Sequence, residues 1–186
     1  TIIVGVMGYY DGMGLSSTRA STFELAQKTD SPVVLIVNAR GAALSLLAVI
    51  EGFLAFQPEN HMKGVILNGC TAMSYGPLAK EIERRFPVKA CGFLPRLPAC
   101  SLESRHLGLV TAAEVAGLKE KMQRLAAEAE KSMDLDALLS IANSAAPLSF
   151  TPPELPAPGQ KVRIGVARDK AFCFFYEDSL GLLRKL

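Results

Sequence analysis

The sequence predicts an α/β fold with a largely parallel sheet, and two observations support that prediction. Short runs rich in Val, Ile and Leu alternate along the chain with segments of helical periodicity. This alternation is typical of βαβ units. The apolar runs are nearly continuous instead of alternating with polar residues, which is typical of parallel strands buried on both faces.

The predicted elements follow one another from the first residue. Residues 1–4 are an apolar run that predicts a buried strand, and residues 5–12 (GVMGYYDG) form a glycine-rich connection after it. Ser21 and Glu24 have the spacing of a capping box, which predicts a helix from Ser21 to about Gln27. Apolar periodicity then predicts alternating strands and helices: a strand at 32–37, a helix at 43–56, a strand at 64–67, a helix at about 75–86 and a strand at 87–94.

The second half of the chain changes character. A second capping box at 111–114 predicts a long helix to about residue 131, and a shorter helix follows at 134–142. Five prolines between residues 144 and 160 predict a semi-rigid linker. Residues 161–167 then predict a new strand and residues 180–186 a last helix. One strand and one helix do not bury a core, so we interpret the chain as a piece of a longer protein that ends just inside a second domain.

Composition and charge restrict the class of protein. The 186 residues are 49% hydrophobic and 20% charged, which is ordinary for a folded domain with its own core. The net charge is +2 without a basic stripe, so we expect no nucleic-acid partner, and the absence of an apolar run of about 20 residues leads us to expect no membrane span. The four cysteines lack metal-ligand spacing, which favours reduced thiols in the cytoplasm.

Three polar side chains lie just past the ends of predicted strands. Asp11 follows the first strand and its glycines, Asn68 ends a later one, and Arg96 follows Pro95 at the end of another. Ligands of open α/β sheets bind outside the carboxyl ends of the strands. Glycines there allow the backbone to approach the ligand closely, and a carboxylate can hold a metal ion or a cationic group. Each residue also has an interpretation without a ligand: Asp11 is solvated, Asn68 forms a turn, and Arg96 makes an ion pair on the surface.

Several ordered segments resemble the cobyrinic acid a,c-diamide synthase family. Beside the octapeptide at 5–12, they are residues 21–26, 32–41, 64–68, 92–96, 105–110 and 166–174. The resemblance implies a three-layer P-loop NTPase-like sheet, similar to that of dethiobiotin synthetase and truncated at its N-terminus. It also implies the first βα unit of a class I glutamine amidotransferase-like domain. The expected divisions are 1–143 for the ATP-binding synthetase part, 144–161 for the linker and 162–186 for the start of the amidotransferase-like domain.

The resemblance implies an ATP- and glutamine-dependent ligase as the parent protein. Such an enzyme converts the a and c carboxylates of cobyrinic acid, a corrinoid, to amides in cobalamin biosynthesis, through an acyl-phosphate. Phosphorylation supplies a leaving group that a carboxylate lacks, and Mg²⁺ and positive charge neutralise the phosphate oxygens. Two other hypotheses stay open: a regulatory or partitioning ATPase, and a non-catalytic family member. A truncated sheet exposes an edge that seeks a partner, so we also expect the chain to form a homodimer or to exchange elements between copies.

Residue roles follow from the same resemblance. It implies that Asp11 is catalytic and binds the metal, that Tyr10 and Gly12 contact substrate, and that three residues bind the nucleotide: Asn68 at adenine, with Pro95 and Arg96. Tyr10 has an alternative role, which is to shape its loop.

Two departures from the family pattern bear on these roles. The family has an acidic residue, expected to bind magnesium, where Val4 stands here, and the chain contains no phosphate-binding Gly-x-x-x-x-Gly-Lys-Ser/Thr motif. We therefore expect residues 1–186 to be inactive by themselves. Arg105 and His106 lie in a family segment, but no chemical step for them follows from the sequence.

Overall fold

The structure is a computed structural model that describes residues 1–5, 7–102, 112, 114–157, 159–169 and 171–186. It divides into two compact units, Thr1–Pro147 and Leu148–Leu186, and this division falls inside the segment predicted as a linker. The elements of the first unit are, in order: α1 (Thr22–Thr29), β1 (Val33–Asn38), α2 (Ser45–Phe56), β2 (Met62–Asn68), α3 (Ala72–Arg85), β3 (Lys89–Leu94), a 3₁₀ turn (Pro98–Cys100), α4 (Leu118–Ser132) and α5 (Leu135–Asn143). The second unit contains α6 (Glu177–Lys185).

The three strands form one parallel sheet in the order β1-β2-β3. Asn38 is the register partner of Asn68, and Asn68 is that of Leu94, so the carboxyl ends of the strands are level. The predicted parallel α/β architecture is confirmed.

The main core lies on one face of the sheet. Alternate residues of a strand point to opposite faces. Leu35 of β1 and Leu67 of β2 share one buried cluster with Ile50 of α2 and Ile82 of α3. Burial of such aliphatic side chains contributes about 1.5–3 kcal/mol each and is the main force that fixes α2 and α3 on the sheet.

The second face of the sheet is only partly covered. A Cβ atom added at Gly64 would lie 2.9 Å from Cδ1 of Ile141 in α5, so α5 packs directly against β2 on this face. Ile36 of β1, by contrast, is 64% exposed. The prediction that β1 is buried on both faces is therefore wrong for the described residues, because α5 contacts β2 and β3 but does not shield Ile36.

The cap of α1 is the predicted capping box. Oγ of Ser21 accepts a hydrogen bond from N–H of Glu24 at 3.1 Å, and the Glu24 carboxylate accepts one from N–H of Ala20. These bonds satisfy backbone donors that a helix leaves unpaired at its start. The helix ends at Thr29, two residues past the prediction, where Asp30 takes a left-handed conformation.

Helix α3 begins earlier than predicted. The apolar periodicity that includes Ile82 and Phe86 predicted a start near Tyr75. In the structure Oγ1 of Thr71 accepts a hydrogen bond from N–H of Ser74 at 3.3 Å, and the helix runs through Pro77. A cap thus outweighs the local cost of a glycine and a proline near the helix start.

Two predicted strands are not formed. Residues 1–4 pair with no strand among the described residues, and Ile2 is 90% exposed. Residues 161–167 are also irregular, with Val162 and Ile164 mostly exposed. Both predictions were wrong for the same reason: a strand satisfies its backbone N–H and C=O groups only beside another strand, whatever its composition.

Other predictions concern thiols and helices. Cys70, Cys91 and Cys100 are buried, Cys173 is exposed, and none of the four forms a disulfide. None of the helices in the described ranges has both the length and the apolar character that crossing a bilayer requires. Helix α4 ends one residue past the prediction but begins later than predicted, at Leu118, because residues 114–117 form turns and a bend and Gly117 takes a left-handed conformation. The predicted cap at Thr111 itself lies outside the described residues.

Candidate functional site

The carboxyl ends of the three strands form a common edge, which we call the carboxyl edge and define as residues 38–41, 68–71 and 94–97. Asn68 lies at its centre, between Asn38 of β1 and Leu94 of β3. Pro95 and Arg96 follow Leu94 directly. The structure therefore brings together the three residues predicted to bind a nucleotide, at the side of the sheet where α/β proteins bind ligands.

The two asparagines of this edge differ in how their side chains are used. Oδ1 of Asn38 accepts a hydrogen bond from N–H of Arg40 at 3.1 Å and so stabilises the turn after β1. Asn68 uses its backbone, whose carbonyl accepts a hydrogen bond from N–H of Ala39 at 2.8 Å. Its exposed side-chain amide makes no hydrogen bond within the described residues, so both its donor and its acceptor are available to a ligand.

Arg40 belongs to this edge, although the sequence analysis did not single it out. Gly69 has a φ of +74°, and a Cβ atom there would lie 3.4 Å from Cβ of Arg40. The arginine thus begins directly beside the Asn68–Gly69 turn. The sequence contains a signal for this position, because Arg40 lies two residues past the end of β1. Exposed arginines are common, however, and only the packing of the two turns distinguishes Arg40 from other surface arginines.

The loop before α1 is attached to a different part of the unit. The hydroxyl of Tyr10 donates a 2.6 Å hydrogen bond to the carbonyl of Phe53, and the hydroxyl of Tyr9 donates one of the same length to the carbonyl of Asn60. Both acceptors lie between the second half of α2 and the amino end of β2. Burial raises the pKa of both phenols, which favours the neutral, donating form.

Tyr10 is part of an aromatic cluster. Its ring stacks on Phe53, with ring centroids 5.9 Å apart, and packs edge-on against Phe23 at 5.2 Å. Such pairs add about 0.5–1.5 kcal/mol beyond area burial. This geometry supports the loop-shaping role of Tyr10, which was one of the two alternatives from the sequence.

Asp11 is exposed and lies in a tight turn. Its N–H donates a 3.0 Å hydrogen bond to the carbonyl of Gly8, and its carboxylate occupies the space that a Cβ at Gly8 would need. A Cβ at Gly12 would lie 2.6 Å from the carbonyl oxygen of Ser17, so this close approach of two backbone segments requires glycine.

The structure does not join Asp11 to the carboxyl edge. Among the described residues, Asp11 makes no hydrogen bond or ion pair with Asn68 or Arg96. The expected position of Asp11 in the crevice depended on a strand at residues 1–4. That strand is not formed, so the loop is held instead by its tyrosines.

The metal prediction rests on Asp11 alone. The described part of the chain contains no group of three His, Cys, Asp or Glu side chains arranged to hold a metal ion. Mg²⁺ is commonly held by one or two carboxylates together with phosphate oxygens and water, so a single aspartate fits a shared site but does not form one. Val4 supplies no ligand atom. Arg105 and His106 lie outside the described residues.

Comparison with known proteins identifies curated relatives of this chain. No family model and no solved structure matches the chain. Three curated relatives share the description cobyrinate a,c-diamide synthase: the proteins of Listeria monocytogenes serotype 4b at 38% identity, Limosilactobacillus reuteri at 37% and Salmonella typhimurium at 35%. The chain is homologous to the cobyrinate a,c-diamide synthases. Each alignment includes 99% of this chain and 40% to 41% of the relative, so the chain spans about two fifths of the length of these relatives. The resemblance inferred from the sequence is confirmed.

Proposed function

We propose that the chain forms part of an ATP- and glutamine-dependent ligase that converts the a and c carboxylates of cobyrinic acid to amides. The observation that supports this most strongly is the similarity to cobyrinate a,c-diamide synthases along nearly the whole chain. Residues 1–143 would belong to the ATP-binding synthetase part, with a P-loop NTPase-like fold. Residues 162–186 would begin the glutamine amidotransferase-like domain, after the linker at 144–161.

The carboxyl edge is the proposed nucleotide site. Adenine presents a donor and an acceptor side by side, and the free amide of Asn68 matches both. Pro95 supplies an apolar surface next to the base, and Arg96 supplies positive charge at the same edge. The residues present therefore fit a nucleotide, and none of the charged side chains in the three edge segments is acidic.

Asp11, Tyr10 and Gly12 are the proposed substrate and metal residues. Gly12 lets the loop close on residues 17–19, and Tyr10 holds it against α2, so Asp11 is presented on a fixed turn. The Asp11 carboxylate is exposed and has no ion-pair partner within the described residues, so it is available to a cation. When bound, Mg²⁺ would neutralise phosphate oxygens as the carboxylate is activated.

The proposed function is tested by assaying the protein from its complete natural reading frame. We expect it to convert cobyrinic acid to the a,c-diamide only with ATP and glutamine, as measured by mass spectrometry. Asn68→Ala should raise KM for ATP at least about tenfold, because one good polar contact is worth about that factor. Asp11→Asn should instead lower kcat. Lys63→Gln, at the amino end of β2, is the matched control and should change neither.

Two results would contradict the proposal. A folded protein that forms no diamide under these conditions is not this ligase. ATP hydrolysis that proceeds equally well without cobyrinic acid and glutamine would favour the regulatory ATPase instead.

A further inference from the structure

The carboxyl edge has a charge pattern that the adenine contact does not explain. Its three segments read NARG, NGCT and LPRL, with two arginines and no acidic residue. Neither Arg40 nor Arg96 has an ion-pair partner within the described residues. Helices α2 and α3 both begin at this edge without an acidic residue in the first turn. The edge is therefore positively charged on both sides of Asn68.

Arg40 is held in a defined position relative to Asn68. Its N–H is bonded to Oδ1 of Asn38, and the preceding residue donates its N–H to the Asn68 carbonyl at 2.8 Å. Gly69 has a φ of +74°, where a larger residue would be strained, and a Cβ there would be in van der Waals contact with Cβ of Arg40 at 3.4 Å. Two turns from neighbouring strands thus place the backbone of Arg40 beside the turn that carries the free amide of Asn68.

A cation at this place, exposed and without a carboxylate partner, suits an anionic ligand. The planar guanidinium presents paired donors that match two phosphate oxygens, and such charge-assisted hydrogen bonds are stronger than neutral ones. We propose that Arg40 binds the phosphate groups of the nucleotide whose adenine contacts Asn68. This inference rests on the proposed function, because it takes Asn68 as the adenine contact.

Titration of the protein from its complete natural reading frame with three ligands tests this inference. The ligands are ADP, adenosine and inorganic tripolyphosphate, and binding is measured by calorimetry at fixed ionic strength. For Arg40→Gln we expect affinity for ADP and for tripolyphosphate to fall at least about tenfold, while affinity for adenosine stays unchanged. Lys63→Gln removes an equal charge from the other end of β2 and should leave all three affinities within about twofold.

A conservative variant separates binding from folding. Arg40→Lys keeps the charge but loses the fork of donors, so it should bind the phosphates with intermediate affinity. Thermal unfolding of each variant shows whether it is folded. Gln and Lys variants that unfold like the original chain but bind ADP and tripolyphosphate equally well would overturn the inference.

The remaining outcomes distinguish this inference from the proposed function. One outcome is that tripolyphosphate binds through Arg40, while adenosine does not bind and substitution of Asn68 leaves the affinity for ADP unchanged. The phosphate contact is then supported and the adenine contact is wrong. If Arg40→Gln lowers the affinity for adenosine as much as the affinity for ADP, the arginine contacts the base and the inference is wrong. If this folded protein binds neither ADP nor tripolyphosphate, both proposals for this edge are wrong.

Discussion

The hydroxyl of Tyr10 donates a hydrogen bond to the carbonyl of Phe53, 43 residues along the chain, at 2.6 Å. This bond, with the parallel one from Tyr9 to Asn60, attaches the loop that carries Asp11 to the end of α2 and the connection to β2. The candidate site consequently has two parts: the carboxyl edge, which is the proposed nucleotide site, and an aspartate on a loop held by tyrosines.

Tyr10→Phe should destabilise the first unit by about 1 kcal/mol. The substitution removes one hydrogen bond and keeps the ring in the aromatic cluster, and a typical bond of this kind contributes about 0.5–1.5 kcal/mol. Tyr10→Ala should cost about 3 kcal/mol or more, because it also removes the ring. The free energy of unfolding is measured in urea. Equal stability of the Phe and Ala variants would show that the ring is not packed as described.

Stability should fall at alkaline pH because of Tyr9. Burial raises the pKa of its phenol above the ordinary value of about 10. An unfolded Tyr9 therefore loses its proton at lower pH than a folded one, so the stabilisation is complete below about pH 10 and is lost as pH rises towards the folded pKa.

The test compares the free energy of unfolding between pH 9 and pH 11.5 in three proteins. Tyr9→Phe should show a smaller loss of stability over this interval than the unsubstituted chain. The matched control is Tyr176→Phe, at a tyrosine that is 71% exposed, and it should keep the original pH dependence. An unchanged slope in Tyr9→Phe would contradict the burial of this phenol.

Gly92→Ala should destabilise the first unit by about 2 kcal/mol. Gly92 has a φ of +116°, and an added Cβ would lie 2.5 Å from Cα of Met133, with which it forms an isolated antiparallel bridge. Both backbone strain and overpacking act against alanine here. Together with the bond from N–H of Asp134 to the Cys91 carbonyl, this contact covers the outer edge of β3.

Gly52→Ala is the matched control for Gly92→Ala. A Cβ at Gly52, in α2, meets no atom within 4 Å. Alanine is the better helix former, so this variant should gain about 0.5–1 kcal/mol. Opposite signs for the two substitutions, read from urea denaturation, are expected. Destabilisation by both would argue against the described environment of Gly52.

Cys173 should be the one thiol that reacts rapidly in the folded chain. The other three cysteines are buried, and burial raises the pKa of the Cys70 and Cys91 thiols, which lowers the fraction of reactive thiolate. A chromogenic thiol reagent should label one group per chain at once and all four after unfolding. Cys173→Ser should abolish the rapid phase. A rapid phase of two or more thiols would contradict the described burial.

Much of the first unit could be predicted from local sequence. The capping box at Ser21 and the apolar runs located α1 and the three strands to within two residues, because caps and buried strands depend on near neighbours along the chain. The carboxyl edge followed directly, since the ends of parallel strands are level. Asn68, Pro95 and Arg96 could therefore be grouped before the structure was known.

The remaining features depend on contacts between distant residues. The exposure of Ile36 depends on how far α5 reaches across the sheet, and the irregular backbone at 1–4 and 161–167 reflects the absence of a pairing strand within the described residues. The attachment of Tyr10 to Phe53 is invisible to any local pattern. Arg40 was overlooked because its position beside Asn68 arises from the packing of two turns 30 residues apart.

The proposed nucleotide site depends on one contact, in which the side chain of Asn68 binds adenine at the carboxyl edge. The most direct measurement follows the side-chain amide resonances of the ¹⁵N-labelled chain by NMR as ADP is added. This contact predicts that the Asn68 resonance shifts in a saturable way. The Asn60 resonance should stay in place, because its Nδ2 donates to the Leu54 carbonyl at 2.8 Å. Saturable ADP binding that leaves the Asn68 resonance unmoved would contradict this contact.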